Sequence, residues 1–192
     1  MTEPRIAPGG FRETGPLIWS FSRIAGVASG TKPPHVFTTL GRNRGLFWGW
    51  LHFAGRLMPG GTLPRHESEM LILRVAHLRG CAYEFEHHRR LGRRAGLSDA
   101  QITALTGDLE QGPWTPRELT MLRTADALIA TKDLDDAQWA QLAAELSPKA
   151  ALELVMLVGH YDMLATTLIT LRVQPDKPSR FSRLGRRSRR TR

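Results

Sequence analysis

Residues 64–98 read PRHESEMLILRVAHLRGCAYEFEHHRRLGRRAGLS and predict two consecutive helices separated by a break at Gly80. Pro64 suits the first turn of a helix, where the backbone N–H that proline lacks would have no partner anyway. Apolar residues then recur at helical spacing as far as Leu78. The second helix should begin near Cys81 and end at a C-terminal cap formed by Gly96. We expect the two helices to pack side by side as a hairpin.

Helical patterns continue on both sides of this hairpin. Thr115, Pro116 and Glu118 have the spacing of a capping box, which marks the start of a further helix. Ser147 and Pro148 begin the last and longest helix, which should run to about Arg172. Because no segment of the body alternates with a period of two, no strand is predicted. The sequence therefore predicts an all-α bundle of about seven helices in a domain spanning residues 46–172.

The N-terminal region, residues 1–45, is rich in glycine and proline but also holds many apolar side chains. Such frequent breaks argue against long helices, whereas the apolar content argues against a free tail. We expect an arm that packs on the body or on a neighbouring subunit. One short helix is predicted in it, around Pro16 to Ala28.

Charge is concentrated at the C-terminus. The chain has a net charge of +9, and residues 173–192 hold eight basic residues against one acid, a net +7. The first 172 residues are therefore nearly neutral. Such an Arg- and Ser-rich segment predicts a disordered, solubilising tail, and nucleic acid is expected as a partner only through it.

Length and cysteine content restrict the class of protein further. A chain of 192 residues is long enough for one domain with a sizeable core. No uninterrupted apolar run approaches the ~18 residues of a membrane span, and no signal-peptide pattern is present, so a cytoplasmic protein without a membrane partner is expected. The single cysteine, Cys81, excludes an intrachain disulfide and fits a reducing compartment.

The second helix of the hairpin combines this thiol with acid and base groups. Cys81, Glu84 and His88 are three and four residues apart, so a helix places them on one stripe. A cysteine at a helix N-terminus is favoured as a thiolate by the macrodipole, and His88 is a candidate proton shuttle. Glu69 on the first helix is a candidate to orient His88. Neighbouring rings supply candidate substrate contacts, namely Tyr83, His87 and His160.

Other interpretations of these residues stay open. A lone cysteine often packs as a small hydrophobic residue, and His160 in an apolar helix is commonly a hydrogen-bonded core residue. Glu84 and His87 have the Glu-x-x-His spacing of di-iron bundles, but a second copy is lacking, so no metal site is predicted. Glycine-rich nucleotide-binding motifs are also missing, so no cofactor is expected.

The spacing of the hairpin residues resembles that of a known family. Glu69 is followed by eleven residues and Cys81, then by two residues and Glu84, then by three residues and His88. This pattern is similar to that of the carboxymuconolactone decarboxylase and alkyl hydroperoxidase D-like superfamily, over roughly residues 46–172. The peroxidases of that superfamily have a second cysteine where this chain has Glu84. The resemblance implies an alkyl hydroperoxidase D-like helical fold and a homo-oligomer.

Three hypotheses about function follow from the resemblance and the departure from it. In the first, the chain is a peroxiredoxin-type antioxidant oxidoreductase that reduces small organic hydroperoxides through Cys81, and an external thiol or another subunit is needed to resolve the oxidised cysteine. In the second, it is a decarboxylase-like lyase in which Glu84 and His88 perform acid–base chemistry, with Arg65 or Arg74 holding a substrate carboxylate. In the third, it is a non-catalytic oligomer that binds a polyanion.

Overall fold

The computed structural model describes residues 3–177, and these residues form an all-α fold, as the sequence predicts. The seven α-helices between Arg44 and Leu171 correspond to those predicted for the body. The α-helices of the described residues are α1 (Phe11–Ser29), α2 (His35–Leu40), α3 (Arg44–Leu57), α4 (Arg65–Leu78), α5 (Ala82–Ala95), α6 (Asp99–Ala104), α7 (Pro116–Thr131), α8 (Asp136–Glu145) and α9 (Pro148–Leu171). A short 3₁₀ helix, Leu109–Gln111, precedes α7.

The helix limits agree with the local signals at most ends. Gly96 caps α5 in the left-handed conformation, and Thr115 and Glu118 form a reciprocal capping box at the start of α7. The short helix predicted around Pro16 to Ala28 corresponds to the part of α1 that follows a kink, whereas the helical turn from Phe11 to the kink was not predicted. Gly15 adopts a φ of 78° inside α1 and kinks the helix just before Pro16. The glycine thus accommodates a proline that would otherwise end the helix.

The chain divides into two compact units, the first formed by the described residues up to His52 together with those from Leu168 onward. Its core contains a cluster of edge-on aromatic rings, among them Phe21, Phe37 and Phe47, and Phe47 is completely buried. Residues 174–177 are anchored here, since the Asp176 carboxylate accepts a hydrogen bond from the backbone N–H of His35 at 2.8 Å. The remainder of the predicted tail, residues 178–192, lies outside the described residues.

The second unit, residues 53–167, is built around α4. Every residue of α4 from Glu67 to Ala76 is buried, and the helix packs against α5 and α7. Gly80 turns the chain between α4 and α5 with a φ of 64°, which glycine adopts without strain. The resulting hairpin brings the two halves of the sequence motif together.

Helix α9 has a dual character. It is long and apolar enough to cross a membrane by length and composition, with a mean hydropathy of 1.5 over its most apolar window. Leu154, Leu157 and Ala165 nevertheless lie in the core of the second unit, and Asp162 makes ion pairs with Arg79 and Lys132. These contacts are those of a helix packed within a protein core.

Candidate functional site

Cys81 occupies the N-cap position of α5 and is buried, with 2% of its surface exposed. Its backbone N–H donates to the carbonyl of Ala76 at 2.8 Å, which fixes it against the end of α4. Cys81 forms part of the wall of a cavity of about 250 Å³. The cavity is lined by Ala76, His77, Gly80, Cys81, Ala82, Phe85, Glu86 and Thr106. A small molecule in this cavity would therefore lie beside Cys81.

Glu84, in the first turn of α5, is the acid next to the thiol. It is only 2% exposed, and neither carboxyl oxygen has a hydrogen-bond partner of ordinary geometry among the described residues. Burial raises the pKa of Glu84 to about 8, against which an interaction with the Cys81 thiol acts weakly. Near neutral pH this carboxyl group is thus mostly protonated, and it exchanges its proton within an ordinary pH range.

The thiol does not have the acidity that its helix position suggests. Burial, and after it the negative charge of Glu84, raise the pKa of Cys81 to about 12. Hydrogen bonds from the backbone N–H groups of Tyr83 and Glu84 lower it, which is the favourable effect of the helix start, but they are outweighed. In the resting protein Cys81 is therefore a protonated thiol, and its use as a nucleophile requires a base that takes the proton.

Glu69 and His88 are brought together across the hairpin. The carboxylate of Glu69 lies 2.7 Å from Nδ1 of His88, and its other oxygen lies 2.7 Å from the guanidinium of Arg65. Burial lowers the pKa of His88, while the hydrogen bond to Glu69 opposes that change. Because a carboxylate at Nδ1 holds the imidazole in one orientation, Glu69 is placed to fix the tautomer of His88. Arg65 extends this row of groups to the surface.

Tyr161 of α9 is a buried group beside both acids that the sequence does not single out as a site residue. Its ring meets the ring of His88 edge-on at 5.2 Å. Burial, and then the charges of Glu69 and Glu84, raise the pKa of the Tyr161 hydroxyl well above its usual value. The phenol therefore stays protonated throughout the ordinary pH range. Tyr161 thus interacts with the acid of each pair, Glu84 beside Cys81 and Glu69 beside His88.

The predicted substrate contacts are placed away from the lining of the Cys81 cavity. Tyr83 and His87 stack in parallel with ring centroids 6.4 Å apart, on the same helix as the thiol. His160 is buried between the edges of Phe53 and Tyr161, and burial lowers its pKa to about 4. These three residues are absent from the cavity wall, so their role in binding substrate stays a prediction.

The two arginines proposed to hold a carboxylate have different surroundings. Arg74 is buried and fully engaged, because it binds both carboxylate oxygens of Asp126 and the carbonyls of Leu105 and Gly107. It is therefore a structural residue, and its assignment to substrate is wrong. Arg65 pairs with Glu69 but remains about 40% exposed, so it is still accessible.

Several wall residues were not predicted as parts of the site. Phe85 lies one helical turn after Cys81, at the edge of the predicted stripe. Glu86, one position later, is rotated away from that stripe. Thr106 comes from the segment after α6, whose position depends on the carbonyls that Arg74 holds. No spacing rule connects that segment to Cys81. In residues 3–177, no three His, Cys, Asp or Glu side chains are grouped as a metal site.

Comparisons with known proteins agree with the hairpin motif. Residues 44–127 match the model of the carboxymuconolactone decarboxylase family. A peroxidase-related protein from Ralstonia eutropha, described as an alkylhydroperoxidase AhpD core, has a similar structure with a TM-score of 0.81 and 17% identity, covering 91% of this chain and 93% of that one. A peroxidase-related protein from Silicibacter sp. gives a TM-score of 0.78 and 18% identity, with 91% and 95% covered.

The debrominase Bmp8, solved with 2,3,4-tribromopyrrole, is also similar, with a TM-score of 0.75 and 17% identity over 88% of this chain and 90% of that one. No curated protein matches the chain in sequence. At these identities the solved structures establish a shared fold.

Proposed function

Residues 44–127 belong to the carboxymuconolactone decarboxylase family, and the described residues share the alkylhydroperoxidase AhpD fold; on that premise we propose that the chain is a thiol-dependent oxidoreductase of peroxidase type. Its substrates are small organic hydroperoxides, and Cys81 is the nucleophile. The observation that carries the proposal is the position of Cys81 in a cavity wall with the Glu84 carboxyl beside it. The thiol supplies the electrons and the carboxylate accepts its proton.

The first step is the attack of sulfur on the hydroperoxide. Sγ of Cys81 bonds to the terminal peroxide oxygen while the O–O bond breaks, so that the thiol is oxidised to a sulfenic acid and the hydroperoxide is reduced to an alcohol. The thiol proton passes to the ionised Glu84, and Glu84 then passes it to the leaving alkoxide, which restores the carboxylate. General-base help is essential because the pKa of Cys81, raised to about 12 by burial, leaves little thiolate.

Regeneration requires an external thiol, because the chain has one cysteine. A first thiol condenses with the sulfenic acid, releases water and leaves a mixed disulfide on Cys81. A second thiol attacks that disulfide, restores Cys81 and leaves as the oxidised reductant. The sum is one hydroperoxide and two thiols converted to one alcohol, one water and one disulfide. Glu84 thus occupies the position of the resolving cysteine, and the external thiol carries out the resolving reaction.

The test compares turnover with thiol reactivity in the same variants. With cumene hydroperoxide and dithiothreitol, Cys81→Ser should abolish consumption. Glu84→Gln should lower it by roughly 10²-fold or more, the usual contribution of a general base. The same variant should react faster with iodoacetamide at about pH 9, because the charge that raises the pKa of Cys81 is lost.

Glu110→Gln is the control, since Glu110 is an acid whose side chain is 55% exposed and it does not line the Cys81 cavity. It should leave both measurements unchanged. Consumption that persists in Cys81→Ser, or that is unaffected in Glu84→Gln, would show that the proposal is wrong.

A decarboxylase-type lyase is the second candidate, and the raised pKa of Glu84, about 8, is the observation that favours it. A carboxyl group that is protonated at neutral pH can serve as a general acid, with His88 as its basic partner. The two hypotheses predict opposite pH profiles. Peroxidase turnover should rise with pH through about 8 as Glu84 ionises, whereas lyase turnover should fall over the same range.

A third possibility, polyanion binding, depends on the basic tail. For the peroxidase we further propose the cytoplasm as the working compartment, because the cycle consumes reduced thiols.

A further inference from the structure

A second cavity adjoins the one that contains Cys81. It has a volume of about 370 Å³ and shares Phe85, Glu86 and Thr106 with the first cavity. Its other lining residues are Arg89, Arg93, Asp99, Ile102 and Thr103. The two cavities therefore adjoin each other along α5. One is mostly apolar and lies beside Cys81, and the other is polar and lies beside two arginines.

Arg89 is incompletely satisfied within this second cavity. One of its terminal nitrogens binds Glu86 at 3.0 Å, but its Nε is buried and has no acceptor among the described residues. Arg93 binds Asp99 at 2.6 Å in a pair whose members are 43% and 78% exposed. Ion pairs this exposed contribute little to stability and are readily exchanged. A ligand carboxylate could thus displace Glu86 from the terminal nitrogen of Arg89 and pair with the accessible end of that guanidinium.

The separation of Cys81 and Arg89 along α5 sets the length of such a ligand. Eight residues of helix separate Cys81 from Arg89, which is about 12 Å along the axis of α5. The Cys81 cavity has mainly apolar walls, including Ala76, Ala82 and Phe85. A molecule that occupies both cavities therefore has an apolar chain at Cys81 and an anionic group about that distance away.

We propose that the two cavities form one groove for an amphipathic carboxylate, and that the substrate is a fatty-acid hydroperoxide whose carboxylate binds Arg89. The substrate class rests on the proposed peroxidase function, whereas the binding of an apolar acid does not. Arg89 is the residue that determines specificity. Glu86 competes with the ligand for it.

Binding is tested first, without turnover, on the Cys81→Ser protein by titration calorimetry with decanoate and with methyl decanoate. Decanoate should bind at least tenfold more tightly than its ester. Arg89→Gln should remove that preference, and Glu86→Gln should strengthen decanoate binding. Arg94→Gln is the matched control, because Arg94 has the same charge on the same helix and does not line either cavity.

Equal binding of acid and ester, no binding of either, or equal weakening by Arg89→Gln and Arg94→Gln would overturn the groove. Turnover is measured separately with the hydroperoxides of linoleic acid and of its methyl ester, and with cumene hydroperoxide. Arg89→Gln should raise the KM for the acid alone, by about tenfold, with little change in kcat. If the wild type consumes no hydroperoxide while decanoate still binds through Arg89, the peroxidase function fails and the carboxylate groove stands.

Discussion

The replacement of a second thiol by Glu84 changes the electrostatics of Cys81 as well as its redox partner. A neighbouring thiol would offer a disulfide, whereas a buried carboxyl group offers a proton acceptor and a negative charge. Burial opposes ionisation of both groups, and the negative charge of ionised Glu84 further opposes ionisation of Cys81. At rest both groups are therefore mostly protonated, and little thiolate is present to react with other compounds. In the proposed peroxidase cycle, the thiol reacts only when Glu84 is ionised.

Burial of Glu84 has a cost in stability that depends on pH. The pKa of Glu84 is about 8 in the folded chain and about 4.3 in an unfolded one. The folded state therefore binds the extra proton, so stability is highest below the unfolded pKa, falls as pH rises and levels off above about 8. The loss amounts to several kcal/mol, on the order of 1.4 kcal/mol for each pH unit between the two values.

Glu84→Gln should relieve this loss, because glutamine has no charge to bury. Thermal unfolding at intervals between about pH 5 and pH 9 should show the variant gaining on the wild type as pH rises. Glu86→Gln, at an exposed position of the same helix, should show no such trend. A difference between Glu84→Gln and the wild type that is constant with pH would contradict the raised pKa.

At the scale of helices, the limits of α5 and the break within α1 were both predictable from local signals. The ends of α5 are set by local residues, a glycine turn before it and Gly96 after it, and such signals act within one turn. In α1, Gly15 and Pro16 predict a break, and the backbone of Gly15 is non-helical there, with φ of 78° and ψ of 167°. The helical turn that precedes this break, from Phe11, has no comparably clear signal in the sequence.

The difference between local and tertiary determinants also explains which parts of the candidate site could be predicted from the sequence. Glu69 and His88 were placed together because both lie on a hairpin whose geometry follows from two helices and a short turn. Burial, by contrast, depends on the whole unit. The sequence favours a reactive thiolate at Cys81, whereas packing raises the pKa of that thiol to about 12. Thr106 reaches the cavity through a loop held by Arg74, which spacing cannot reveal.

Helix α1 also presents an apolar face that supports the proposed homo-oligomer. Leu17, Ile24 and Val27 are 72%, 70% and 82% exposed, and their spacing places them near one another on the helix surface. Exposed apolar patches commonly mark protein–protein contacts, and we propose that a second copy of this chain covers this one. Ile24→Glu should therefore lower the mass measured by light scattering. Arg23→Glu, at the adjacent position, is the control and should preserve the assembly, and an unchanged mass in Ile24→Glu would contradict the contact.

At the scale of the whole molecule, the net charge and the candidate site belong to different parts of the chain. Residues 178–192 contain seven arginines and no acid, which leaves a net charge of +2 on residues 1–177. The residues just before this segment are structural. Lys32 donates its backbone N–H to the carbonyl of Lys177 at 2.9 Å, and the ring of His35 hydrogen-bonds to the carbonyl of Gln174 at 2.8 Å.

A chain that ends at Lys177 should therefore retain its melting temperature and its Cys81 chemistry, while losing salt-sensitive retention on a heparin column. Each phosphate-like contact made by the tail contributes to that salt dependence. A chain that ends at Gln174 should melt lower, because it also loses the hydrogen bond between Asp176 and the backbone of His35. If the Lys177 truncation binds heparin as strongly as the full chain, polyanion binding does not reside in the tail. If the full chain is not retained even at low salt, the charge serves another purpose, such as solubility.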